Sequence, residues 1–151
     1  AIYLPTLPDV DTARIALGGW SYGGYQTIRT MEEKHSHYKC GFAVAPVSDW
    51  RFYDTGYTER YMRRPQVNEH GYTASSLLSY TDRLQGKLLL ISGMADDNVH
   101  PQNTWMLVEA LVQSGKQFDM QLYPDDNHFL RQRDNYLHLH QRIMRFLQEH
   151  L

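Results

Sequence analysis

Arg14-Ile15-Ala16-Leu17-Gly18-Gly19-Trp20-Ser21-Tyr22-Gly23-Gly24-Tyr25 carries an apolar segment into a tight turn and out toward a helix. Residues 14–19 read as a short strand that is apolar on both faces, as in a sheet covered on two sides. Gly19 to Gly23 forms a G-x-S-x-G pattern, and strand-turn-helix is the setting that a nucleophile elbow requires. Such a turn asks for flanking residues without side chains. The helix that follows would offer its first amides to a developing oxyanion, with Ser21 exposed at the tip. By composition alone the string occurs in roughly one chain in twenty of this length, so its setting carries the reading. A glycine-rich turn with a solvated Ser21 is the competing one.

Working outward, residues 40–47, 87–93 and 118–123 read as three more strands, the last because Phe118, Met120 and Leu122 alternate with polar neighbours before Pro124. A short helix is expected after Gly24. Residues 101–114 form a second, with Leu107, Val108, Leu111 and Val112 as its stripe, Pro101 in the first turn and Gly115 past the end. Residues 134–148 form the last, striped by Tyr136, Leu139, Ile143, Phe146 and Leu147. The expected order is β-α-β-α-β-α-β-α. Right-handed crossovers between successive parallel strands then give an α/β three-layer sandwich with a mostly parallel sheet. Residues 14–19 lie close to the N-terminus yet read as a central strand, so a further neighbouring strand is expected outside these residues.

With 151 residues the chain is sized for one domain. Lys+Arg 15 against Asp+Glu 17 argues against a nucleic-acid polycation, and 42% apolar content argues against disorder. The longest aliphatic run, Leu88-Leu89-Leu90-Ile91, is far short of a membrane span, which needs about 20 residues. No targeting segment is read at Ala1. Cys40 stands alone, which removes an internal disulfide and a thiolate cluster and marks it as a buried small residue.

A serine hydroxyl attacks only when a histidine takes its proton and a carboxylate orients that histidine. In this fold the chain order is Ser, acid, His. Asp96 follows the third strand and His128 the fourth, so Ser21, Asp96 and His128 all fall at carboxyl ends of strands, where such sheets bind ligands. Rival acids are Asp97, Asp125 and Asp126, with Asp97 closest and otherwise a turn-capping residue ahead of Pro101. Rival bases are His100, His138 and His140. The pairs His35/His37 and His138/His140 lack a third ligand at a sensible spacing, so no metal is expected. Residues 47–62 crowd aromatics into a loop or irregular helix. Trp50, Tyr53 and Tyr57 recur at spacings of three and four, one face of a helical turn, and would wall a flat apolar pocket or pack as a lid on their own domain.

Three strings together, Gly19-Trp20-Ser21-Tyr22-Gly23-Gly24-Tyr25, Ala45-Pro46-Val47-Ser48 through Tyr57-Thr58-Glu59-Arg60-Tyr61-Met62, and Gly93-Met94-Ala95-Asp96-Asp97-Asn98-Val99-His100, resemble the prolyl oligopeptidase family of serine peptidases, in its dipeptidyl peptidase branch. The likeness runs along nearly the whole chain and implies the C-terminal part of an α/β-hydrolase catalytic domain, residues 1–151. It implies release of N-terminal dipeptides with Pro or Ala second, through an acyl-enzyme and without a cofactor. Ser21 would be the nucleophile, Asp96 the orienting acid, His128 the base and the Tyr22 N–H an oxyanion donor. Tyr22, Val47, Trp50, Tyr53, Tyr57 and Val99 would hold the proline ring, and Asn98 a substrate carbonyl. The resemblance also implies a periplasmic or extracellular, homodimeric parent protein, with further strands and a β-propeller outside these residues. A tripeptidyl or acylaminoacyl peptidase and a catalytically silent interaction module are the alternatives. Departures from the family pattern are Phe129 where glycine follows the base, Gly18 where tryptophan often precedes the elbow, and no C-terminal cysteine to pair with Cys40.

Overall fold

The computed structural model describes residues 3–33 and 37–151. Four parallel strands, β1 (Ala16–Trp20), β2 (Cys40–Val44), β3 (Lys87–Gly93) and β4 (Asp119–Tyr123), form one sheet in the order of the chain. Ala16 pairs with Cys40, Cys40 with Lys87, and Leu89 with Asp119, so all four carboxyl ends lie along one edge. Helices α1 (Tyr22–Met31) and α4 (Gln102–Gln113) cover one face and α5 (Arg133–His150) the other, which completes the three layers. Two short helices, α2 (Thr55–Met62) and α3 (Glu69–Ser75), belong to the long crossover from β2 to β3.

The strand period of two sorts the core. Ala43, Leu88 and Leu90 face Tyr25, Ile28 and Met31 of α1 and Leu107 and Leu111 of α4. Cys40, Val44, Leu89 and Ile91 face Leu139, Ile143 and Phe146 of α5. Cys40 is a free, fully buried thiol, as expected, and burial pushes its pKa up.

Two expectations shift. β2 ends at Val44 rather than at residue 47, because Ala45 takes a positive φ of 45° and Pro46 cannot extend a ladder. The crossover from β2 to β3 holds two short helices and three 3₁₀ turns instead of one helix. β1 lies at the edge of the four-stranded sheet among the described residues, in keeping with the reading of a strand whose further neighbour falls outside them. A Cβ at Gly18 would meet the Phe42 ring at 2.1 Å, so the glycine there makes room for an aromatic from the neighbouring strand.

Candidate active site

Ser21 sits where β1 gives way to α1, with φ 58° and ψ −119°, a conformation that L residues rarely adopt. The Ser21 N–H donates to the Val44 carbonyl at 2.8 Å, and the Ser21 carbonyl accepts from the Tyr25 N–H at 3.0 Å, which pins the turn on both sides. A Cβ at Gly19 would lie 2.1 Å from the backbone of Gly23, so this turn closes only over a glycine. At Gly23 an added Cβ would meet nothing within 4 Å, so the expected need for two bare flanking positions holds for one of them. The Tyr22 N–H is the first amide of α1 and has no acceptor within the helix.

Asp96 and His128 are brought together from the ends of β3 and β4. Asp96 Oδ2 lies 2.7 Å from His128 Nδ1, with 0% and 6% of the two side chains exposed. The other oxygen, Oδ1, accepts from the N–H groups of Asn98 and Val99, both at 2.9 Å. Turn capping thus belongs to Asp96 and not to its rival Asp97, which is exposed. Ser21 and His128 line one cleft, without a hydrogen bond closed between them. Such bonds are often long before substrate arrives.

Of the other rivals, Asp125 is exposed, and the rest are occupied elsewhere. Asp126 is buried and accepts from Asn135 Nδ2 at 2.6 Å and from the Gln132 N–H at 3.5 Å. His100 Nδ1 accepts from the Gln102 N–H, His138 Nδ1 bonds the Tyr123 hydroxyl, and His140 Nδ1 bonds the Tyr136 carbonyl. Of the spaced histidine pairs, His35 lies outside the described residues.

The aromatic segment folds as two elements rather than one helical face. Asp49 accepts from the Arg51 N–H and opens a 3₁₀ turn, Trp50–Phe52; Asp54 accepts from the Tyr57 N–H and opens α2. Tyr53 between them is extended. The rings nonetheless converge, with centroids 6.0 Å apart for Trp50 and Tyr53, 6.1 Å for Trp50 and Tyr57, and 5.5 Å for Tyr53 and Tyr57. With Ser21, Tyr22 and Val47 they line a cavity of about 150 Å³. Val99 does not reach that cavity; it is 2% exposed, inside the core cluster that also holds Val47 and Trp50. Asn98 lies with Ser21 and His128 in the adjoining cleft. Its Oδ1 accepts from the Tyr53 hydroxyl at 3.0 Å, which leaves its amide N–H groups without a protein partner among the described residues. Burial pushes the Tyr53 pKa up, so the phenol keeps the proton that it donates.

Three residues support the site in roles that the sequence pattern does not assign to them. Trp20 Nε1 donates to the His128 carbonyl at 2.9 Å, tying the elbow to the histidine loop. Asn103 is fully buried, accepts from the Ser48 N–H and donates to the Phe52 carbonyl, fastening the aromatic segment to α4. Asp126 holds the far side of the histidine loop. Only Asp126 had a signal, its place in Asp125-Asp126-Asn127-His128. Among the described residues, no helix is long and apolar enough to cross a membrane.

The chain matches the prolyl oligopeptidase family over residues 1–151. It superimposes on the crystal structure of Porphyromonas gingivalis dipeptidyl peptidase 4 with a TM-score of 0.93 at 52% identity, covering 96% of this chain and 21% of that one. A putative dipeptidyl aminopeptidase IV from Bacteroides ovatus gives a TM-score of 0.95 at 38% identity, covering 99% of this chain and 21% of that one. A probable dipeptidyl-aminopeptidase B of Neurospora crassa is 50% identical over 122 residues, 79% of this chain and 13% of that protein. The chain therefore spans a small part of the length of each relative.

Proposed function

This chain belongs to the prolyl oligopeptidase family, and from that premise we propose that it carries the reacting groups of a serine dipeptidyl peptidase. The observation that supports this most is the buried Asp96–His128 pair at 2.7 Å in the same cleft as Ser21, beside an aromatic cavity of about 150 Å³. The residue second from the substrate's N-terminus, proline or alanine, enters that cavity. Proline suits it because its ring is rigid, apolar and brings no N–H to satisfy.

In the proposed reaction Ser21 Oγ attacks the carbonyl of that second residue while His128 takes the hydroxyl proton, and the Tyr22 N–H steadies the oxyanion. Asp96 holds the imidazole through Nδ1 and so presents its other nitrogen to Ser21. The tetrahedral intermediate collapses as His128 returns the proton to the leaving nitrogen. This leaves the dipeptide as an ester on Ser21, and water activated by His128 then hydrolyses the ester. Asn98 holds a substrate carbonyl with its unpaired amide N–H. No cofactor enters. The same reading extends to a periplasmic or extracellular, homodimeric protein, which fractionation and sedimentation of the full-length protein check.

Two measurements test the reaction. The full-length protein should release dipeptides from free Xaa-Pro chromogenic substrates and not from the same substrates acetylated at the N-terminus; equal turnover of both points to an acylaminoacyl or endopeptidase relative. A fluorophosphonate should add once, on Ser21, and Ser21→Ala should lose both adduct and turnover. An adduct elsewhere, or activity that survives the mutation, removes Ser21 from the mechanism.

A further inference from the structure

Ser21 divides its cleft in two. One side is the small aromatic cavity; the other, about 550 Å³, is lined by Trp20, Ser21, Asn98, His128, Phe129, Arg131 and Tyr136. Resting on the reaction proposed above, proton transfer assigns this larger side. The leaving nitrogen takes its proton from His128, so the residue that carries it lies against the His128 wall.

Phe129 stands on that wall. Its ring centroid is 5.4 Å from that of His128 at 76°, and 49% of the residue is exposed. The ring adds nothing to the core, because the next residue fills that role. Leu130 is fully buried under α5 and adopts φ 47° to get there, which sends the two consecutive side chains to opposite sides. The Phe129 N–H donates to Asn127 Oδ1 at 3.0 Å, and Trp20 holds the preceding carbonyl. The Arg131 guanidinium lies over the Phe129 ring at 4.4 Å and makes no ion pair among the described residues. An exposed ring is thus fixed by a strained backbone and braced by a cation, directly beside the proton donor.

We propose that Phe129, braced by Arg131, is the contact that selects the first leaving residue of the substrate, favouring a bulky apolar or aromatic side chain. It acts only during acylation. As the Ser21 ester forms, the bond to the leaving nitrogen breaks, the nitrogen takes the His128 proton and the leaving peptide departs. Every substrate with the same dipeptide then shares one acyl-enzyme. The preference therefore appears in kcat/KM and is absent from deacylation.

The test offers the full-length enzyme Gly-Pro-Phe-amide and Gly-Pro-Gly-amide in competition and follows both leaving residues by mass spectrometry. The ratio is internal to each sample, so the folded fraction cancels. Wild type should favour the phenylalanine peptide by about tenfold. Phe129→Ala should bring the ratio to within about twofold, Phe129→Tyr should keep most of it, and Arg131→Ala should fall between. Equal use of the two peptides by wild type, a preference for glycine, or a ratio that Phe129→Ala leaves in place overturns the subsite while dipeptide release continues. If neither peptide yields Gly-Pro, the dipeptidyl reading itself fails and takes the subsite with it.

Discussion

On one side of Ser21, Trp50, Tyr53 and Tyr57 pack ring against ring around about 150 Å³; on the other, Phe129 stands half exposed beside about 550 Å³. The first wall is held several times over. Trp50 is 7% exposed and in ring contact with Tyr22, Tyr25, Tyr53 and Tyr57, and Asn103 fastens the segment to α4. The second rests on one loop between β4 and α5, tied by Trp20 and Asp126. A wall of mutually packed rings defines one shape and excludes others, which suits the acyl residue of the proposed reaction. A lone ring with open space beside it discriminates more weakly among many leaving residues.

Asp96 lies behind the cleft and holds both His128 and the turn that carries Asn98, so its loss should be the most damaging. One oxygen pairs with His128, and the other caps the turn that carries Asn98 and Val99. Asp96→Asn keeps an acceptor for the turn but presents an amide to the imidazole, which favours the wrong tautomer. On the scale of serine peptidase triads kcat should fall by about 10⁴-fold with the fold intact. A loss below tenfold would mean that the pair is structural.

The next break separates the walls. Trp50→Ala removes the central ring of the acyl side and should cost about 3–5 kcal/mol of stability. It should also cut kcat/KM for Xaa-Pro substrates by about 100-fold, since the proline ring loses its main apolar contact. The preference among leaving residues should persist, being set across the cleft. If Trp50→Ala and Phe129→Ala change the same selectivity, the two walls do not act separately.

What the sequence made legible follows this division. Ser21, Asp96 and His128 could be read because each sits just past a strand, and parallel strands bring those ends to one edge whatever the intervening chain does. The rings of residues 50–57 were also readable as a group, though not as one helical face. Two aspartate caps split the segment, and a spacing of three and four does not report where one element stops. Helix α3 escaped because Glu69–Ser75 has no apolar stripe, although Asn68 caps it. The positive φ of Ala45 and Leu130 has no signal at all, since tertiary packing imposes it on ordinary residues. The acyl side was therefore mostly visible in advance, and the leaving side was not.

The smallest effect on turnover concerns the far end of helix α1. Helix α1 presents Tyr22 and Tyr25 at one end and finishes at Glu32, which is 1% exposed. Among the described residues neither carboxyl oxygen of Glu32 has a hydrogen-bond partner, and Arg29 Nη1 stays 3.8 Å away. Burial therefore dominates and pushes the Glu32 pKa up to about 8, against an ordinary value of 4.5, with Arg29 opposing it. Below about pH 4.5 native and unfolded chains both hold the proton, and the carboxyl has no linked effect. Between there and about pH 8 the unfolded chain releases the proton while the native one keeps it, so stability declines as pH rises and then levels off. Glu32→Gln removes that decline. Its gain should be near zero at pH 4.5 and reach the order of 4 kcal/mol at pH 8.5, read as a pH-dependent rise in the melting temperature of the full-length protein. Dipeptidyl activity and leaving-residue preference should both hold, because the residue touches neither wall. An equal shift at both pH values would show that the native carboxyl is already ionised at low pH.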